Sequence, residues 1–208
     1  MHQARLDQAL QKIGGVTDRL GLGIDPGIRT AVAMLNQHGL HTIMSCEGHE
    51  NWATGGPYID IGAAGSYDFR KRFEGIADKE EKESFRKAFG KETMDVGKKI
   101  VPILDDFYKG RDTAFAARLV LVAYPDSMRL ESAGVAFLRY ETDPAIKNKD
   151  LKLFQSEMSD FSDFLIRYEP AVSLTATEKI TQPGSSIGKF LMGILKDSAK
   201  PSTPMKSP

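Results

Sequence analysis

The spacing of hydrophobic residues predicts a helix followed by a strand near the start of the chain. Ile28, Val32 and Leu35 recur at positions i, i+4 and i+7, which is typical of an amphipathic helix that ends at Gly39. The pair Asp25-Pro26 predicts where this helix begins. Aspartate is a preferred N-cap residue, and proline suits the first helical position because its missing N–H would have no partner there.

Two short runs after this helix have the composition of strands. His41–Cys46 follows the helix directly, and Tyr58–Gly62 places Ile59 and Ile61 on one face. The segment between the two runs is rich in Gly, Asn and Thr and is too long for a tight hairpin. Loops of this length are often functional, so this loop is where we expect a site.

Two longer apolar runs in the second half of the chain predict a pair of neighbouring strands. Ala117–Tyr124 is almost continuously apolar, which is typical of a central strand. A Pro-Asp-Ser turn signal follows it. Arg129–Tyr140 then predicts a returning strand with a bulge at Gly134.

Helical spacing covers the segments between and after these strands. Residues 67–111 are rich in charges of alternating sign, and Pro102 predicts a kink or a restart within them. The clearest amphipathic helix precedes Pro170. Its apolar residues fall on one face: Phe154, Met158, Phe161, Leu165 and Tyr168.

These elements together predict an α+β fold, with a small mixed or antiparallel sheet packed by helices. A length of 208 residues suits one well-cored domain, and we predict a single domain over residues 1–198. Residues 199–208 are rich in Ser, Pro and Lys, and we predict that they form a disordered tail.

Composition excludes several classes of protein. Lys+Arg 28 balance Asp+Glu 28, so net charge does not indicate nucleic-acid binding. No run approaches the ~18 apolar residues of a membrane span, and Met1–Arg5 lack the apolar core of a signal peptide. Cys46 is the only cysteine, which excludes an internal disulfide and fits a reducing compartment. We therefore expect a cytoplasmic protein with no membrane partner, whose oligomeric state composition leaves open.

The segment Ser45–His49 carries the densest set of reactive side chains in the chain. It places Cys46 at the end of a strand, where it is exposed to loop chemistry, and His49 three residues further on. The turn between them contains Gly48, so the imidazole can fold back to the sulfur. His41 is excluded as a partner, because an extended strand at ~3.3 Å per residue puts it roughly 16 Å from Cys46.

Three interpretations of this segment stay open. In the first, Cys46 is a nucleophile or redox thiol activated by His49, because a nearby imidazolium stabilises a thiolate. In the second, the same pair binds zinc, with a further ligand from one of the acidic residues that follow: Glu47, Glu50 or Asp60. In the third, the cysteine is a small packed residue and the loop is structural.

Polar and aromatic residues around the segment are predicted to contact a ligand. The catalytic set on the thiol interpretation is Cys46, His49 and Glu47. The predicted ligand-binding residues are Ser45, Gly48, Trp52, Tyr58 and Asp60. The two aromatic side chains flank the loop and could stack on a ring or a base. These residue types identify neither a metal nor another cofactor.

The run from Asp25 to His49, continued by Pro57-Tyr58-Ile59, resembles a group of uncharacterised bacterial and phage proteins. The shared pattern is a helix that begins Asp-Pro-x-Ile-Arg, then Leu-Asn, Gly-x-x-Thr, Ser-Cys-Glu-Gly-His and Pro-Tyr. More distantly, the Ser-Cys-x-Gly turn is similar to that of the wybutosine-synthesising methyltransferase family. That resemblance implies modification of transfer RNA with S-adenosylmethionine. The family has Gly-Arg after this turn, where this chain has Gly48-His49, so no cofactor is assigned from it.

The sequence therefore predicts a site for a small-molecule or nucleotide-like ligand at the Cys46–His49 loop. This site either binds the ligand only or also catalyses its reaction. The alternative is a non-catalytic phage or host interaction or regulatory protein. In that case the loop is structural, and the partner surface lies on the amphipathic segments or the tail. Whether the protein is an enzyme stays open at this point.

Overall fold

A four-stranded antiparallel sheet forms the centre of the computed structural model. The strands are β1 (Thr42–Cys46), β2 (Tyr58–Ile61), β3 (Leu119–Ala123) and β4 (Met128–Ser132), in the order β1-β2-β4-β3. The structure describes residues 2–17, 21–50, 55–63, 65–124, 126–138 and 140–169, except for the side chains of residues 67 and 70. The antiparallel form of the predicted α+β fold is confirmed.

Helices cover one face of this sheet. They are α1 (His2–Ile13), α2 (Pro26–Gln37), α3 (Phe69–Gly75), α4 (Lys79–Phe107), α5 (Val135–Leu138) and α6 (Pro144–Arg167), with a 3₁₀ turn over Ser66–Asp68. α2 packs against α1, α6 and β1, and α4 packs against β4. The close approach of α4 depends on Gly97, where an added Cβ would lie 2.8 Å from the Met128 side chain of β4.

The period-2 alternation of the strands decides which residues enter the core. Ile59 and Leu130 are opposite one another on β2 and β4, and neither is exposed to solvent. Tyr58 and Asp60 point to the other face, as the alternation predicts. They are nevertheless buried too, because the side chain of Arg129 pairs with Asp60 and covers the Tyr58 ring.

The strand predicted for Arg129–Tyr140 is shorter than expected. β4 ends at Ser132, and α5 follows where the second half of that strand was predicted. The i, i+3 spacing of Val135 and Leu138 lets a helical turn bury both residues in one cluster, with Ala117 and Phe154. α4 continues through Pro102 without a break, so the predicted restart there is wrong, and the kink stays a prediction.

Residues 1–169 form one compact unit. Residues 170–208 lie outside the described part of the chain, so the domain boundary at residue 198 and the tail over 199–208 stay predictions. Trp52 also lies outside the described residues. Among the residues that are described, no helix is both long and apolar enough to cross a membrane.

Candidate metal centre

Three chain segments meet at the end of β1. Asp25 immediately precedes α2, Cys46 is the last residue of β1, and His49 lies in the loop that follows. α2 packs against β1, which brings its first turn beside the end of the strand. One ligand atom from each of the three side chains lies within 4.8 Å of the other two.

The spacing of these atoms suits a single metal ion. With bonds of about 2.0–2.3 Å to zinc, tetrahedral ligand atoms stand about 3.3–3.6 Å apart. His49 Nε2 and Asp25 Oδ2 are already 3.6 Å apart. The Asp25 and His49 side chains are 34% and 40% exposed, whereas Cys46 is only 7% exposed. An ion bound here would therefore have the buried Cys46 sulfur on its inner side and the partly exposed Asp25 and His49 side chains toward the surface.

Asp25 occupies the N-cap position of α2 without capping the helix. Its side chain makes no hydrogen bond to the first turn of α2. Instead, its Oδ2 accepts a hydrogen bond of 3.1 Å from the backbone N–H of Glu47. Glu47 performs the capping role from the opposite direction, since its Oε2 accepts a hydrogen bond of 2.7 Å from the Gly27 N–H. This exchange turns the Asp25 carboxylate toward the thiol and the imidazole.

Gly48 gives the loop its turn. Its φ is +84°, and an added Cβ would lie 2.8 Å from the Pro57 nitrogen and 2.9 Å from the Gly55 oxygen. Only glycine fits both constraints without a shift of the backbone. The Gly48 N–H lies 3.4 Å from Cys46 Sγ and donates to it. The turn at Gly48 is therefore left-handed, and its N–H orients the sulfur.

The Cys46 thiol is held in its protonated form. Burial raises its pKa, the Gly48 N–H acts in the opposite direction, and the carboxylates of Asp25 and Glu47 raise it further. The sequence placed this cysteine within reach of loop chemistry, but the structure buries it, because it faces Tyr58 across the strand pair. A raised pKa does not support a thiolate nucleophile in the metal-free protein.

The acidic residues predicted to complete a zinc site are engaged elsewhere. Glu47 caps α2, and Glu50 accepts a hydrogen bond from the Asn148 side chain. Asp60 accepts two hydrogen bonds of 2.8 Å from Arg129. Asp25 is the carboxylate that the structure brings to Cys46 and His49. The sequence pattern predicts Asp25 only as a helix cap.

Three of the predicted ligand-binding residues lie on strands, and they divide between the two faces of the sheet. Ser45 is opposite Ile59, so its side chain points to the helix-covered face and away from Cys46. Tyr58 is directly opposite Cys46, and its hydroxyl lies 3.3 Å from the Met44 sulfur and donates to it. Asp60 lies one position further from the loop, paired with Arg129. Of the predicted ligand-binding residues, Gly48 donates to the thiol and Tyr58 lies opposite it on the neighbouring strand.

A cleft of about 350 Å³ opens beside the three ligands, between the loop and α6. Its lining includes one of the ligands, His49. The complete lining is Glu47, Gly48, His49, Glu50, Asn148, Leu151, Lys152 and Gln155. The four residues of α6 were not predicted as site residues, because their place beside the loop depends on packing between elements that are far apart in sequence.

Comparisons of this chain with protein-family models, with curated proteins and with solved structures give no match. The resemblance to the Ser-Cys-Glu-Gly-His group therefore stays a prediction. The interpretation of the site depends on its geometry.

Proposed function

We propose that Asp25, Cys46 and His49 bind one zinc ion and that the site catalyses a metal-assisted hydrolysis of a small molecule. The observation that carries the proposal is the position of Asp25. Glu47, not Asp25, bonds to the first turn of α2, and an Asp25 carboxylate oxygen lies within 4.8 Å of the Cys46 sulfur and of a His49 ring nitrogen. Sulfur, nitrogen and oxygen donors of these types form the usual protein ligands of zinc.

The electrostatics of the site favour a divalent cation. Without a cation, the Asp25 carboxylate opposes ionisation of Cys46, and the thiol keeps its proton. A metal ion reverses this relation, because coordination deprotonates a thiol outright. One thiolate and one carboxylate then balance the two positive charges of the ion. The same two groups that repel one another as anions thereby become a matched pair of ligands.

Three protein ligands leave a tetrahedral ion with one open position, which is the arrangement of catalytic rather than structural zinc sites. Zinc in such a site polarises a carbonyl or phosphoryl oxygen and lowers the pKa of a bound water. The chain's own contribution is to hold the ligands and to shape the approach. His49 lies in the wall of the cleft, so a molecule in the cleft would be adjacent to the open position.

Titration of the metal-free protein with Co²⁺ tests the proposal directly. Cys46 is the only cysteine, so a thiolate-to-cobalt charge-transfer band can come from no other sulfur. We expect such a band at one equivalent of cobalt and its loss when zinc is added. Asp25→Ala, Cys46→Ser and His49→Ala should each weaken zinc binding by more than about 100-fold, since loss of a supporting group alone costs 10–100-fold.

His41→Ala is the matched control. His41 is an exposed histidine that immediately precedes β1, at the opposite end of the strand from the loop. It should bind cobalt and zinc as the unchanged protein does. The proposal is wrong if no charge-transfer band forms, or if Asp25→Ala leaves zinc affinity unchanged. The first outcome would favour the alternative class, a non-catalytic interaction protein in which this loop is structural.

The proposed setting is the cytoplasm. A single free thiol is compatible with a reducing compartment, where it remains available to a metal. Thiolate ligands also bind zinc more strongly as the pH rises, because binding must displace the thiol proton.

A further inference from the structure

The cleft beside His49 is held together by two residues of α6. Gln155 Nε2 donates hydrogen bonds of 3.2 Å to the backbone oxygens of Glu47 and Gly48. Asn148 Nδ2 donates a hydrogen bond to Glu50 Oε1. These hydrogen bonds join the loop to α6 at both ends of the cleft. The cleft is therefore a fixed part of the fold.

Lys152 lies between these two residues on the same face of α6. The spacings from Asn148 to Lys152 and from Lys152 to Gln155 are four and three residues, so all three side chains point toward the loop. The outer two hold the loop. Lys152 lines the cleft and makes no hydrogen bond or ion pair with any of the described residues. It therefore places a positive charge in the cleft that the fold itself does not use.

Acceptor groups lie one helical turn away from this positive charge. Asn148 Oδ1 is buried and has no hydrogen-bond partner among the described residues. Its amide orientation is fixed, because the carboxylate of Glu50 can only accept and so requires the NH₂ group on its side. The same hydrogen bond holds the Glu50 carboxylate one helical turn from Lys152. Glu50 thus adds a negative charge to the cleft lining.

We propose that the cleft binds a small zwitterionic molecule of the amino-acid class whose side chain carries an amide or ester bond, and that water adds across this side-chain bond at the zinc site while the amino and acidic groups stay intact. This substrate class rests on the proposed function. The acidic group of the ligand pairs with Lys152. Its amino group faces the Glu50 carboxylate, which Asn148 holds one helical turn from Lys152. Side-chain positions at i and i+4 on a helix are about 5–6 Å apart, which suits two groups that are attached to the same or adjacent carbons.

The balance of charge in the cleft favours a zwitterion over a simple anion or cation. Glu47 and Glu50 both line the cleft and would repel a molecule that carries only an acidic group. Lys152 would repel a molecule that carries only an amino group. Glu47 is turned toward the first turn of α2 by its bond to the Gly27 N–H, whereas Glu50 is bonded to Asn148 on the cleft side of α6, so Glu50 is the carboxylate placed to attract an ammonium group.

Calorimetric titration with three matched probes tests this inference. The probes are alanine, alaninamide, which lacks the carboxylate, and N-acetylalanine, which lacks the ammonium group. All three are titrated into the full chain with and without one equivalent of zinc. We expect alanine to bind about two- to fivefold more tightly than either derivative, the range that corresponds to one partly exposed ion pair.

Two variants assign the contacts to residues. Lys152→Gln should remove the preference for alanine over alaninamide, and Glu50→Gln should remove the preference for alanine over N-acetylalanine. Lys149→Gln is the matched control, because Lys149 is an exposed lysine of α6 outside the cleft lining. It should leave all three affinities unchanged.

The outcomes separate this inference from the zinc proposal. Equal affinities for the three probes in the zinc-loaded protein, or preferences that survive Lys152→Gln, would refute the zwitterion and leave the metal site intact. Failure of zinc to bind, with the probe preferences retained, would refute the metal site and keep the cleft. No binding of any probe in either form would overturn the cleft as a ligand site.

Discussion

Replacing Gly48 by alanine should perturb the site strongly, because both the backbone conformation and the space around this residue exclude a side chain. Gly48 has φ of +84°, and an alanine Cβ there would lie 2.8–2.9 Å from three backbone atoms of residues 55–57. Gly39 has a similar φ of +75° but has open space around the corresponding position. The two glycines therefore separate the cost of a left-handed conformation from the cost of a steric clash.

The magnitudes follow from this comparison. A left-handed residue with a side chain costs about 1–2 kcal/mol, so Gly39→Ala should lower the free energy of unfolding by that amount. Gly48→Ala has the same strain, and the atoms that its Cβ meets are main-chain atoms that cannot rotate away. Forcing extra volume into a packed site costs about 1–3 kcal/mol more. We therefore expect Gly48→Ala to be destabilised by about 2–5 kcal/mol in total.

Urea unfolding of both variants, followed by circular dichroism, gives the two free energies, and zinc titration gives the effect on the site. Gly48→Ala should lose metal affinity because the loop that carries His49 must move, whereas Gly39→Ala should retain it. If the two variants lose the same stability within about 0.5 kcal/mol, which is the usual error of such comparisons, the steric account of this loop is refuted.

Three further perturbations test the electrostatics of the fold. Asp25→Asn should shift the alkylation profile of Cys46 toward lower pH in the metal-free protein, because a carboxylate that raises the thiol pKa is removed; an unchanged iodoacetamide profile would contradict this. Burial lowers the pKa of His38, so the folded protein should lose stability as pH falls below the unfolded value of about 6.5, by at most about 1.4 kcal/mol per pH unit. Unfolding of His38→Gln at several pH values should show a smaller loss. Arg129→Leu should cost about 3–5 kcal/mol because Asp60 stays buried and unpaired, and a second change, Asp60→Leu, should recover most of it in thermal melts.

Local sequence signals were enough to place the elements that surround the site. α2 and β1 occur where the helical spacing and the Asp-Pro signal predict them, and β2 shows the predicted alternation. These predictions succeed because the signals depend on neighbours within one or two turns of the chain. The second half of the predicted Arg129–Tyr140 strand fails for the opposite reason, since Val135 is buried by packing against α6 residue Phe154.

The site itself could be predicted only in part. Cys46 and His49 are three residues apart, so their proximity is a local property that the sequence shows. The role of Asp25 depends on Glu47 replacing it as the cap of α2, a hydrogen bond between residues twenty positions apart. A capping rule read from the sequence assigns Asp25 to its own helix and cannot anticipate this exchange. The contribution of Lys152 depends in the same way on how α6 packs against the loop.

The three proposed ligands all lie between residues 25 and 49, within one helix, one strand and the following turn. Contacts this close in sequence require little loop closure and form early during folding, whereas the pairing of β2 with β4 joins segments that are far apart in the chain. The three proposed ligands would therefore be brought near one another by local structure, and the later contacts of Gln155 with Glu47 and Gly48 would fix the loop that carries His49. On the zinc proposal, an ion bound to these side chains would favour the local arrangement before α6 packs against the loop.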